Sequence, residues 1–193
     1  MLLRNDSDGV MAVQIRIFSW NQQDGSDNYS QSSDFIVSPS IVRIDPGRTQ
    51  TLHIIASVKP DANVEASYRV VIDQLPQSVK QQPGAAQTRL RMTIPLFSGG
   101  DRAPEQNLRF SMTDNILSIT NAGGRTAKIG GLSIEQASQP HKFPRRTTPR
   151  YILGGATVRV ALPDGVQCDS DAVRITAIVD RKAIDAIPTQ SCS

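Results

Sequence analysis

Side chains suited to general-base chemistry, nucleophilic attack or metal ligation are scarce in this chain, which has two histidines and two cysteines among 193 residues. His53 alternates with Leu52 and Ile54 and reads as a strand-face residue, while His141 lies in a polar loop. Their separations from Cys168 and Cys192 fit no zinc spacing. The glycine pairs beginning at Gly99, Gly123, Gly130 and Gly154 read as turn or bulge glycines, and no G-x-G-x-x-G opens a helix. No motif places a base beside any serine. These residues give no enzyme, no cofactor and no metal site.

The other chemistry on offer is charge. The net charge is +3, too small to argue for nucleic acid. The basic stretch "HKFPRRTTPR" has no interleaved aromatics and reads as a solvated loop. Arginine outnumbers lysine, which suits planar contacts to carboxylates. Cys168 and Cys192 would close a loop of about 25 residues, worth roughly 3 kcal/mol by chain entropy. In an exported protein they pair; in a cytosolic one both stay thiols.

The segment with the strongest pattern is "TRLRMTIPLF", residues 88–97. Leu90, Met92, Ile94 and Leu96 alternate with Arg89 and Arg91, which is the period of a strand. Ten residues would run roughly 30 Å, longer than the usual strand. It is flanked by "QQPGAAQ" and "SGGDRAPEQ", both of which look like flexible connections.

The elements that must position this strand are also strands. "VMAVQIRIFSW" alternates after a turn cluster, and "NQQDGSDNYSQSSD" reads as a polar loop. "FIVSPSIVRIDPGRTQTLHIIASV" gives two or three short strands broken by Pro39 and by a Pro46–Gly47 turn. "EASYRVVIDQLP" is a strand closed by Pro76. Beyond "SGGDRAPE" the pattern restarts: two or three strands in residues 107–134, one after the basic loop, and "AVRITAIVD" last. No helical apolar face persists over three turns. The class is all-β, a sandwich or barrel. Residues 1–98 and 106–193 are read as two sandwiches joined by 99–105. No apolar run reaches the roughly 18 residues that a membrane span needs, so no membrane insertion is expected. "MLLRNDSDG" shows no export signal, so the chain is either cytosolic or short of its true N terminus.

"VQIRIFSW", "FIVSPSIVRIDPGRTQTLHII", "EASYRVVIDQLP" and "LRMTIPLF" resemble, in order and spacing, the first domain of the periplasmic pilus-assembly chaperones of the chaperone–usher pathway. "NILSITNAGGRTAKIGGLSI" and "YILGGATVRVAL" resemble their second domain. The resemblance implies two immunoglobulin-like sandwiches set in an L, a periplasmic location, pilin subunits and an outer-membrane usher as partners, and a natural gene that continues upstream with a signal peptide and the first strand. It implies that residues 86–97 lie in the groove of an incomplete subunit, with Leu90, Met92 and Ile94 filling pockets while Leu96 and Phe97 serve the chain's own core. It also implies a disulfide between Cys168 and Cys192. The family anchors the subunit's terminal carboxylate on an arginine of the first strand, which falls before this chain, and on a lysine whose place falls near Pro95. The remaining basic candidates are Arg69, Arg89 and Arg91. The Pro-Leu-Phe ending resembles the archaic branch. The competing reading is a two-domain structural or adhesive module whose long strand is private core.

Overall fold

The computed structural model describes residues 1–76, 89–136, 139–143, 150–168 and 173–192. Contacts divide the chain into two units. The first holds Met1–Trp20, Tyr29–Pro60 and Ala66–Ser98, and the second holds Asn21–Asn28, Asp61–Glu65 and Gly99–Ser193. Among the described residues no helix is long and apolar enough to cross a membrane.

The N-terminal strands are β1 (Leu2–Arg4), β2 (Met11–Gln23), β3 (Ser26–Gln31), β4 (Phe35–Ser38), β5 (Ile41–Ile44), β6 (Thr49–Thr51), β7 (His53–Ala56), β8 (Glu65–Gln74) and β9 (Arg91–Gly99). The main sheet of the first unit runs β3-β2-β8-β9, with β5 also paired to β2. Two short antiparallel pairs, β1–β6 and β4–β7, supply the opposing strands. Alternation decides what each strand buries. Val13, Ile15 and Ile17 of β2 and Tyr68, Val70 and Ile72 of β8 point inward. They meet Leu3, Ile44 and Leu52, with Phe35, Val37 and Ile54 packed against the same cluster. Each such side chain contributes about 1.5–3 kcal/mol of burial.

Tyr68 sits in that core with its ring edge-on to Phe35 at 4.9 Å. Its hydroxyl donates to Asp34 Oδ2 at 2.7 Å. Burial first, then the Asp34 hydrogen bond and charge, push the phenol up to about 12. Asn5 is fully buried, and its amide donates to Gly9 O and Ile44 O while its Oδ1 accepts from Ser7. It fastens the loop between β1 and β2 to the start of the core.

The second unit contains β10 (Leu108–Thr113), β11 (Ile116–Asn121), β12 (Ala127–Gln136), β13 (Gln139–Lys142), β14 (Tyr151–Ile152), β15 (Thr157–Ala161), β16 (Val173–Val179), β17 (Lys182–Ala186) and β18 (Thr189–Gln190). One sheet runs β15-β11-β10-β18 and the other β13-β12-β16-β17, with β14 on β12. Met112, Leu117 and Ile119 from the first sheet and Ile134, Ile175 and Ala177 from the second are almost wholly buried. Asn121 repeats the part Asn5 plays. Its amide donates to Arg125 O and Ile152 O, and its Oδ1 accepts from the backbone of Asn107 and Gly123. Cys168 is bonded to Cys192 with the Cα atoms 5.7 Å apart. Apart from the short parallel β10–β18 pair the strands are antiparallel, and two unclosed sandwiches of this kind are immunoglobulin-like.

Several details differ from the sequence reading. The "polar loop" after β2 is a hairpin: β2 runs on to Gln23, and Asp24 (φ 53°) and Gly25 (φ 79°) turn it into β3. Two consecutive positive φ values are what a two-residue hairpin of the right twist requires, and Asp-Gly supplies them. Asp180 and Arg181 make the same kind of turn into β17. His141 lies in strand β13, opposite Ile134, not in a loop. The glycine-rich segment after β9 has a fixed path. A Cβ at Gly99 would fall 2.3 Å from Asp61 O, and Gly100 N donates to that same oxygen at 2.9 Å. Arg125 holds Gly100 O and Asp101 O from the other side. The flank "QQPGAAQ" and the start of the 86–97 segment lie outside the described residues.

Candidate functional site: an open sheet edge and its arginine face

β9 is the last strand of its sheet. On one side it meets β8, where Gln74 N donates to Leu90 O at 2.9 Å and Leu90 N donates to Gln74 Oε1 at 3.2 Å. On its other side no described strand pairs with it. An unpaired edge presents a row of backbone donors and acceptors to any extended chain. The opposite edge of the sheet, β3, has the sequence Ser-Asp-Asn-Tyr-Ser-Gln and is exposed throughout. β9 carries apolar side chains instead.

Those side chains are not equivalent. Met92 and Leu96 are partly buried against the core of the first unit. Leu90 and Ile94 remain 52% and 38% exposed. Phe97 lies on the other face of β9, its ring 6.2 Å from that of Trp20. β9 and the residue before it thus offer solvent two aliphatic side chains, Ile94 and Leu90, on either side of a third, Met92, that is half committed to folding.

The outward face of the same sheet collects the basic residues. β2 and β8 pair with Arg16 opposite Val71 and Phe18 opposite Arg69. Arg16, Arg69 and Arg91 line a depression of about 260 Å³ together with Phe18, Tyr29, Val71 and Thr93. The Arg69 guanidinium stands 3.7 Å over the Trp20 ring, a stacking geometry that arginine favours. Asp73 ties two of the three together: Oδ2 accepts from Arg16 Nη2 at 2.6 Å and Oδ1 accepts from Arg91 Nε. Arg91 first and Arg16 second hold the Asp73 carboxyl below the usual carboxylate range. Arg89 lines a neighbouring depression with Arg16, Arg91, Asp73, Gln74 and Leu90. Of the three basic candidates, Arg91 therefore lies in both depressions, sharing one with Arg69 and the other with Arg89. Arg16 and Asp73 were not singled out from sequence; 57 residues separate them, and only strand pairing reveals their contact.

A sandwich with an unpaired, partly apolar edge strand and an arginine-lined face has the features of an immunoglobulin-like binding module. The N-terminal-domain model of the pili and flagellar-assembly chaperones, the PapD N-terminal domain, matches residues 1–99. The chain belongs to this family. It is a periplasmic chaperone of pilus assembly that binds its subunits, not an enzyme. Among the described residues no group of three His, Cys, Asp or Glu could hold a metal ion.

Solved structures agree. A chain in the crystal structure of the CsuC–CsuE chaperone–tip subunit pre-assembly complex, from the archaic chaperone–usher Csu pili of Acinetobacter baumannii, matches with a TM-score of 0.72 at 25% identity, covering 95% of this chain and 88% of that one. The E. coli chaperone DraB matches at 0.65 and 18%, covering 96% and 87%. A chain of the Salmonella enterica SafA pilin–SafB chaperone complex matches at 0.67 and 18%, covering 96% and 86%. At 18% identity the last two show the fold alone. No curated protein matches the sequence.

Proposed function

We propose that the chain captures a pilin subunit by lending β9 to it as a missing strand, with Leu90, Met92 and Ile94 entering the subunit's groove, and then passes the subunit to an outer-membrane usher. Chaperone–pilin pairs are a standing example of strand addition, so the mode itself is general knowledge. What supports it here is the exposure of Ile94 on an unpaired edge strand and of Leu90 immediately before it. Main-chain hydrogen bonds along β9 give pairing, and alternate side chains give fit.

Arg91 is the better anchor for the subunit's terminal carboxylate, because it lines two adjoining depressions, one shared with Arg16 and Arg69 and the other with Arg16 and Arg89. Likeness to the Csu complex at 25% identity supports the archaic branch. The working domains are 1–98 and 106–193 joined by 99–105; the change of contact grouping between Ser98 and Gly99 supports the first boundary, while residues 99–105 group with the second unit.

Hydrogen exchange tests the strand assignment. Co-expressed with a pilin that it stabilises, the chaperone should show strong protection of the β9 amides that face away from β8. In the free chaperone those same amides should exchange rapidly. Protection confined to other strands would reject the assignment.

A further inference from the structure

The Asp73 carboxylate contacts both Arg16 and Arg91, yet it grips neither fully. It takes one nitrogen of each guanidinium, Nη2 of Arg16 and Nε of Arg91. Arginine binds a carboxylate best through two parallel bonds from one fork, so each contact is the weaker, single-pronged kind. The arginine side chains are open to solvent, 44% exposed for Arg16 and 67% for Arg91, whereas Asp73 is only 15% exposed. An incoming anion can reach both guanidiniums from outside without displacing backbone. Asp73 lines a depression with Arg16, Arg89 and Arg91, so three guanidiniums stand around this one internal carboxylate.

We propose that Asp73 is an exchangeable occupant of this arginine face: it holds Arg16 and Arg91 while the chaperone is empty, and cedes Arg91 to a carboxylate of the bound subunit. This rests on the reading of β9 as the subunit-binding strand, since Arg91 opens that strand and its side chain projects beside the captured chain. An internal carboxylate of this kind has two effects. It keeps the arginines extended along the sheet and ready for a ligand. It also weakens binding of stray periplasmic anions, because every such anion must displace Asp73 before it gains a guanidinium. A subunit overcomes that competition because its strand is already paired to β9, which makes the carboxylate a local reactant.

The test uses the full chain with benzoate as the probe and benzamide as its neutral control, at constant ionic strength, followed through the arginine Nε–H signals by NMR. In Asp73→Asn, benzoate should bind at least tenfold more tightly than in the unaltered protein, a change of about 1.4 kcal/mol. Benzamide should not distinguish the two proteins. Equal or weaker benzoate binding by Asp73→Asn would overturn the proposal and make Asp73 a fixed strut. A second measurement needs no variant: saturating benzoate should shift the Arg91 Nε–H signal and return the Asp73 carboxyl towards ordinary titration. An Asp73 that titrates identically with and without benzoate also overturns exchange. The strand reading is checked separately by subunit co-purification with Ile94→Asp. If capture survives that substitution, the strand reading falls and takes this proposal with it. If capture is lost but Asp73→Asn gains nothing for benzoate, only the exchange falls.

Discussion

Ile94→Asp separates the two uses an apolar edge strand can have. Ile94 lies between Met92 and Leu96 on β9, but those neighbours pack on the core while Ile94 keeps 38% of its surface in water. Burying an isoleucine fully is worth about 1.5–3 kcal/mol, so the buried share already counts for roughly 1–2 kcal/mol of folding. The aspartate loses that share but can turn its carboxylate to solvent, and a domain of this size should melt about 5–15 °C lower. In a subunit groove the carboxylate has no such escape. Burial of an unpaired charge costs several kcal/mol or forces protonation. At about 1.4 kcal/mol per tenfold, subunit affinity should fall a hundredfold or more. Met92→Asp, at a position packed on the core, should lower the melting temperature further than Ile94→Asp does. The assays are thermal unfolding of the free chaperone and co-purification with a pilin. Equal melting losses for Ile94→Asp and Met92→Asp would make the whole apolar face private core. Unchanged co-purification would remove Ile94 from the binding surface.

Acid titration should expose the Asp73 contacts. A carboxyl held below its ordinary value of about 3.9 stabilises the fold above that pH and loses its contribution as pH falls through the lower folded value. Asp73→Asn should therefore flatten the acid limb of the stability curve below about pH 4, and an unaltered limb would count against the contacts with Arg91 and Arg16. Alkali reports on Tyr68 with the opposite sign. The folded phenol ionises near 12 and an unfolded one near 10, so its stabilisation is intact below pH 10 and disappears between 10 and 12. Tyr68→Phe should remove that alkaline dependence while costing about 1 kcal/mol at neutral pH for the bond to Asp34. Reduction of the Cys168–Cys192 bond should cost the second unit about 3 kcal/mol, seen as an earlier unfolding transition in denaturant. Two freely alkylated thiols in non-reduced periplasmic material would refute the pairing.

The strands that carry a two-residue apolar period were legible from sequence, because the period records a buried face. β2, β8 and β9 all show it. β3 did not, since it buries nothing and its sequence is indistinguishable from a polar loop. Its only signal was Asp24–Gly25, a turn pair that should have been weighed as a hairpin. β17 was missed for a similar reason, with only Asp180–Arg181 to mark the turn. On β9, alternation placed Leu90, Met92, Ile94 and Leu96 on one face but gave no measure of exposure, and that separates Ile94 from Met92. Asn5 and Asn121 were invisible because each ties its own turn to a strand distant in sequence, at Ile44 O and Ile152 O, and no side-chain pattern records such main-chain partners. Asp73 was invisible because its two arginines belong to neighbouring strands. The family resemblance supplied function, and no spacing of reactive residues could have done so.

The unlike rims of the first unit's main sheet also set its valence. A sheet with two receptive edges can be extended from both sides, and copies of it can stack into an open fibre. Here β3 presents polar side chains around one aromatic, Tyr29, so growth by edge pairing is disfavoured along its length. Two copies meeting through β9 would use up both receptive edges and stop at a closed pair. A subunit seated there likewise ends the sheet. For a protein that handles monomers destined to polymerise, such a bias favours joining one partner at a time over becoming a link in a fibre.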